Sequence, residues 1–196
     1  VSPFASGVYR PAESIAKAAA GLGPGDVLLV ELQAVSGTGT MVPIEVYPEV
    51  RAAIAAAVDR GIVVVEPAAN SGKDLATIGI EASLGPNPWA PGTPGEDHSG
   101  ALIVGGGGAA SPLLNVRTVG DRQRTPESNF GARVDLQGFG AGVVTSGYAD
   151  LPGTSEDTGY TACFDGTSSA SATVAGAVAV VQGEAIARLG EPLTPD

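Results

Sequence analysis

The sequence predicts one α/β domain of three layers, α/β/α, with helices on both faces of a mostly parallel sheet. Three observations lead there. Val27–Val30, Ile62–Val65 and Ala101–Val104 are short apolar runs without polar alternation, the pattern of strands buried on both faces. A segment of helical period separates the first two, and strand–helix–strand alternation makes parallel neighbours. The length of 196 residues and the hydrophobic fraction of 43% suit one domain with a sizeable core.

Each element has its own signal. A first helix is expected over Ala12–Ala20, ending at Gly21. The turn Gly23-Pro24-Gly25-Asp26 then leads into the first strand. Pro48 suits the first turn of a second helix, in which Val50, Ile54, Ala57 and Val58 form one apolar stripe before Gly61 stops it. After the strand Ala101–Val104, the glycines Gly105–Gly108 read as a flexible turn. A dinucleotide loop would have to open directly into a helix, and Ser111-Pro112 stands in the way. The last helix, from about Ser169 to Ala187, is apolar nearly all round and is expected to be central and buried. Residues 1–190 thus form the domain, and 191–196 read as the start of a linker or tail.

Charge narrows the function. Ten Lys and Arg against 21 Asp and Glu give −11, and the only lysines are Lys17 and Lys73. A nucleic-acid binder needs a basic stripe, and an anionic membrane surface would repel this chain. No run reaches the roughly 20 apolar residues of a spanning helix. One cysteine, Cys163, precludes an intrachain disulfide, and one histidine, His98, precludes a multi-histidine metal site. Cys163 reads as a small core residue, with a reactive thiol as the alternative. No cofactor is expected.

The sharpest feature is Phe164-Asp165-Gly166-Thr167-Ser168-Ser169-Ala170-Ser171-Ala172-Thr173-Val174-Ala175-Gly176. A Gly-Thr-Ser turn entering a helix sets the Ser168 hydroxyl beside unpaired N–H groups and the positive end of the helix dipole. Developing negative charge is stabilised there. A serine at a helix start is also a good N-cap, and spacing alone leaves both readings open.

The motif resembles the nucleophile motif of the subtilisin-like serine peptidases (subtilases), Gly-Thr-Ser-x-Ala-Ser-Pro followed by Val-Ala-Gly. It departs from that pattern at Ala172, where the family has proline. Gly61 to Gly72 resembles the strand and turn presenting the family's oxyanion asparagine: Asn70 falls on it, with Ala69 in place of the usual glycine. Val27–Gln33 resembles the strand lining the substrate cleft, with Glu31-Leu32-Gln33 where many members have Ser-Leu-Gly. Ser128-Asn129-Phe130-Gly131 and Val134–Gly138 fit the stretch that precedes the nucleophile. The resemblance implies a serine endopeptidase with Ser168 as nucleophile and Asn70 as oxyanion donor. It implies a substrate edge made of Glu31, Leu32, Gln33 and Ala68. An inward-facing Glu31 would favour basic or polar substrate groups, and an outward-facing one would be a solvated carboxylate.

A serine needs a base and the base an orienting partner. In the family these are an Asp in Asp-Ser/Thr-Gly and a His in His-Gly-Thr, both upstream of the segments matched here. His98 lies downstream of Asn70 in Gly95–Gly100 and reads as a loop histidine. Asp157-Thr158-Gly159 spells the Asp motif but lies in a polar loop with no strand leading in. The resemblance therefore suggests the C-terminal two-thirds of a catalytic domain, with Val1–Phe4 as the remains of a strand. Such a chain would be inactive without an upstream segment bearing Asp and His. A degenerate, non-catalytic peptide-binding module is the alternative. The resemblance also suggests polypeptide substrates, secretion and structural calcium, with Glu156-Asp157 the weakest of ligand candidates.

Overall fold

The computed structural model describes residues 1–5, 7–92, 98–109, 119–147, 151 and 158–195. Strands β1 (Phe4–Ala5) and β2 (Val8–Tyr9) pair antiparallel in a two-residue hairpin, apart from the main sheet. Helix α1 (Pro11–Ala19) follows, and then β3 (Val27–Leu29). The strands β4 (Gln33–Val35) and β5 (Met41–Pro43) form a second hairpin. A 3₁₀ turn at Ile44–Val46 leads into α2 (Pro48–Val58), after which β6 (Val63–Pro67) returns to the sheet. The remaining elements are β7 (Leu102–Gly108), β8 (Leu136–Ala141), an antiparallel pair β9 (Val143–Ser146) and β10 (Tyr160–Phe164), and α3 (Gly166–Leu189).

The main sheet is parallel throughout, in the order β3-β6-β7-β8. Period-two alternation along β6 divides the core between its two faces. Ile62 and Val64 face the larger cluster, with Ile15 and Ala19 of α1 and Val50, Ile54 and Ala57 of α2. Val63 and Val65 face the other way with Val104, against Ala170 and Ala175 of α3. Burying one such aliphatic side chain fully is worth about 1.5–3 kcal/mol, so both faces hold the sheet. The three-layer α/β/α architecture stands as expected.

Two expected elements differ. Strand β3 is only half-buried, because it is an edge strand of the sheet and not a central one. The glycines Gly105–Gly108 are not a turn: they continue β7 and pair with β8 from Gly105↔Gln137 to Gly108↔Ala141. Close approach explains them. A Cβ on Gly138 of β8 would collide with the Ala170 carbonyl of α3, and one on Gly140 would lie 3.0 Å from the Gly166 carbonyl. Glycines on β8 therefore let the start of α3 settle directly on the backbone of the sheet, while those on β7 make room for Thr125, Ser128 and Gln137.

Helix α3 is longer than expected and less buried. Gly190 caps it in the left-handed conformation, and its outer half exposes Val180, Val181, Ile186 and Leu189. It is 24 residues long with a mean hydropathy of 1.4 over its most apolar window. By length and composition alone it could cross a membrane, whereas the sequence reading found no such run. Only 28% of that window is buried. Residues 191–195 fold back along it: the Gln182 amide donates to the Leu193 carbonyl at 3.0 Å and accepts from its N–H at 2.8 Å.

Candidate active site

Both of the expected catalytic groups stand where the strands of the sheet end. Just beyond β6, Ala69 adopts φ +67, a left-handed conformation that L side chains rarely take. That kink turns Asn70 toward α3. Asn129 braces the loop from below, its Nδ2 donating to the Ala68 carbonyl at 2.8 Å and the Met41 carbonyl at 2.9 Å. Its N–H reaches the Ala69 carbonyl at 3.0 Å, and its Oδ1 accepts from the Lys73 N–H at 3.0 Å. Asn129 is buried with both ends of its amide satisfied.

Ser168 is the third residue of α3, inside its first turn. The cap reading is thereby overturned: the N-cap position belongs to Asp165, whose backbone is extended. Gly166, at φ +89, makes the sharp entry, and a Cβ there would lie 3.3 Å from Asn70 Oδ1. The first turn of a helix has N–H groups without intrahelical acceptors. Thr167 uses its own on Asn70 Oδ1 at 2.9 Å and adds its hydroxyl to the same oxygen at 3.1 Å. With Oδ1 so committed, Nδ2 is the end of the Asn70 amide that faces outward. It lies 3.4 Å from Gln33 Oε1.

The predicted substrate edge divides. Gln33 is exposed at the start of β4 and touches Asn70, as above. Leu32 is half-buried against the larger core cluster. Glu31 directs its carboxylate inward to α3, with Ser171 Oγ at 2.5 Å from its Oε1. Although the residue keeps much of its surface in solvent, nearby protein dehydrates the carboxyl and raises its pKa; hydrogen bonds from Ser171 and then Ser168 lower it in part. Ala68 does not belong to the edge. It is fully buried, its N–H on the Val104 carbonyl at 2.9 Å and its own carbonyl on Asn129, so it anchors the loop.

Sequence reasoning quoted Thr167, Ser171 and Asn129 within motifs without giving them roles. Thr167 follows a glycine and precedes the serine, which was its only local signal. The Ser171–Glu31 contact spans 140 residues and left none. His98 is exposed ahead of β7. Cys163 is half-buried in β10, its N–H on Thr161 Oγ1 at 3.0 Å. Glu156 and Asp157 lie outside the described residues, and among the described residues no group of three or more His, Cys, Asp or Glu could hold a metal ion.

The model of the subtilase family matches residues 34–195. The chain belongs to the subtilase family. No curated protein matches it in sequence. Among solved structures, a cold-adapted subtilisin-like serine proteinase superposes with a TM-score of 0.59 at 20% identity, covering 97% of this chain and 52% of that one. A protease of Pseudoalteromonas arctica gives 0.55 at 21%, covering 94% and 52%. The prenylagaramide maturation protease gives 0.56 at 16%, covering 94% and 52%. At these identities the likeness is one of fold, and this subtilase chain spans about half the length of each structure it matches.

Proposed function

We propose that this chain carries the nucleophile and the oxyanion site of a serine endopeptidase acting on polypeptides. Ser168 Oγ attacks the scissile carbonyl, the C–N bond breaks, and the amine leaves with the proton taken from the serine. Water then hydrolyses the acyl-enzyme to release the acid and restore the hydroxyl. The negative charge on the carbonyl oxygen is held by Asn70 Nδ2 and by the Ser168 N–H in the first turn of α3. The observation that carries the reading is the double hold of Thr167 on Asn70 Oδ1, which turns the donor end of the amide outward. There one of its two protons meets Gln33 and the other is left for a ligand oxygen. Glu31, Leu32 and Gln33 border the substrate path, with Gln33 closest to the oxyanion position.

The proton acceptor for Ser168 and its orienting carboxylate come, in this reading, from a His and an Asp on a segment outside these 196 residues. Without that segment the chain is inactive. An acidic net charge of −11 suits polypeptide substrates better than nucleic acid or an anionic membrane, and we place the protein outside the cell.

The test is capture by a fluorophosphonate probe, with the adduct located by peptide mapping. Labelling confined to Ser168, abolished in Ser168→Ala, supports the reading. If the full-length protein shows no labelling but binds extended peptides, the site is a peptide-binding module.

A further inference from the structure

The serine peptidase reading gives no task to the hydrogen bonds between Glu31 and α3. Ser171 Oγ lies 2.5 Å from Glu31 Oε1 and 3.0 Å from the Ser168 carbonyl three residues back, and it is fully buried. The Ser168 side chain also favours the ionised form of the same carboxylate, less strongly than Ser171 does. A hydroxyl has a single proton to donate. With Glu31 ionised, Ser171 gives that proton to the carboxylate, and the Ser168 hydroxyl is drawn to the same acceptor. With Glu31 protonated, the carboxyl becomes a donor, Ser171 turns its proton to the Ser168 carbonyl, and the Ser168 hydroxyl is left with a neutral and weaker acceptor. The two patterns orient the nucleophile differently. We propose that Glu31 is a positioning residue, its carboxylate fixing the rotamer of Ser168 and, through Ser171, the carbonyl of the nucleophile turn.

This inference rests on the peptidase reading. Incomplete hydration of the carboxyl sets the switch above the ordinary glutamate range. From α3 the groups facing Glu31 are the two serine hydroxyls. Val1 lines the same cavity of about 300 Å³ beside β3. Among the described residues no charged side chain acts on Glu31.

Two readouts test it on the full-length protein. Carbon-detected NMR should show the Glu31 carboxyl titrating above the ordinary range, and higher still in Ser171→Ala, where a stabilising hydrogen bond is gone. The rate of fluorophosphonate capture by Ser168 should rise with pH through that same midpoint. In Glu31→Gln this inflection disappears and the rate at neutral pH falls roughly ten- to a hundredfold, the cost of a misplaced reacting group. Glu31→Asp keeps the inflection at a reduced rate. An unshifted titration in Ser171→Ala overturns the inference, as does an unchanged pH profile in Glu31→Gln with Ser168 still labelled. If the titration is coupled as expected but Ser168 is captured at no pH, the peptidase reading fails and this one with it.

Discussion

Asn70 is held firmly by the oxygen of its amide and only by a long contact to Gln33 at its nitrogen, and that asymmetry makes its contribution measurable. Asn70→Asp keeps an oxygen for Thr167 but replaces the donor by a second acceptor, so the oxyanion would meet a like charge. Removal of one such donor in subtilisin costs about 10²–10³ in turnover. A loss of that order is expected here in the rate of Ser168 acylation, with the folded state intact by circular dichroism. The neighbouring Ala69 carries a strain that glycine would not. A left-handed L-residue costs roughly 1–2 kcal/mol, and the added freedom of glycine in the unfolded chain offsets about half of it. Ala69→Gly should therefore stabilise the protein by about 0.5–1 kcal/mol, read as a higher urea midpoint at unchanged slope.

At the scale of elements, β6 carries one acid, Glu66, within the core. Glu66 is fully buried, and among the described residues no side-chain or backbone donor is in place for its carboxylate oxygens. Its neighbour Glu45, also fully buried, takes hydrogen bonds from Trp89 Nε1 at 2.8 Å and from Ser99 Oγ. Glu45 also lies 3.5 Å from Arg133, whose other nitrogen pairs with Asp135 at 2.6 Å. Burial first, then the charge of Glu45, pushes the Glu66 carboxyl well above the ordinary range, against the weaker pull of Arg133. A group whose folded pKa is raised keeps its proton on folding while the unfolded chain has already lost it. Stability therefore falls as pH climbs from the unfolded value near 4.5 to the folded one, by up to about 1.4 kcal/mol per pH unit. Glu66→Gln should remove this slope, as measured by denaturation at pH 5 and pH 8. The strands β7 and β8 make a steric prediction. Gly138→Ala drives a methyl into the Ala170 backbone and should cost at least about 1–3 kcal/mol, lifting the nucleophile turn and slowing acylation too.

On the scale of the whole molecule, the parts legible in the sequence are those whose cause is local. The helices α1 and α2 announced themselves by Pro48, Gly61 and an apolar stripe, and Ser168 and Asn70 by the residues on either side. The strand Gly105–Gly108 was read as a turn because glycine has no side chain to favour a strand. What selects it is the segment packed against it between Val119 and Gly140, where Thr125, Ser128, Gln137 and the Gly120 carbonyl leave no room for a Cβ. Thr167, Ser171 and Asn129 acquired roles only when distant segments met. Net charge is the opposite case, wholly legible and wholly non-local. A surplus of 11 negative charges on one domain repels itself in the folded state more than in the expanded unfolded chain. Salt screens this over about 10 Å at 0.1 M and 3 Å at 1 M. Among the described residues, the ion pairs opposing the trend are either exposed, such as Arg10–Glu13 and Arg188–Glu184, or local to Arg133. Exposed pairs are worth at most about 1 kcal/mol each. Repulsion should therefore dominate, and the melting temperature should rise steadily between 0.01 and 0.5 M sodium chloride at pH 8. It should rise less at pH 4.5, near the isoelectric point of about 4.4, where carboxylates are partly protonated. A melting temperature that falls with salt at pH 8 would mean that attractive pairs outweigh the net charge.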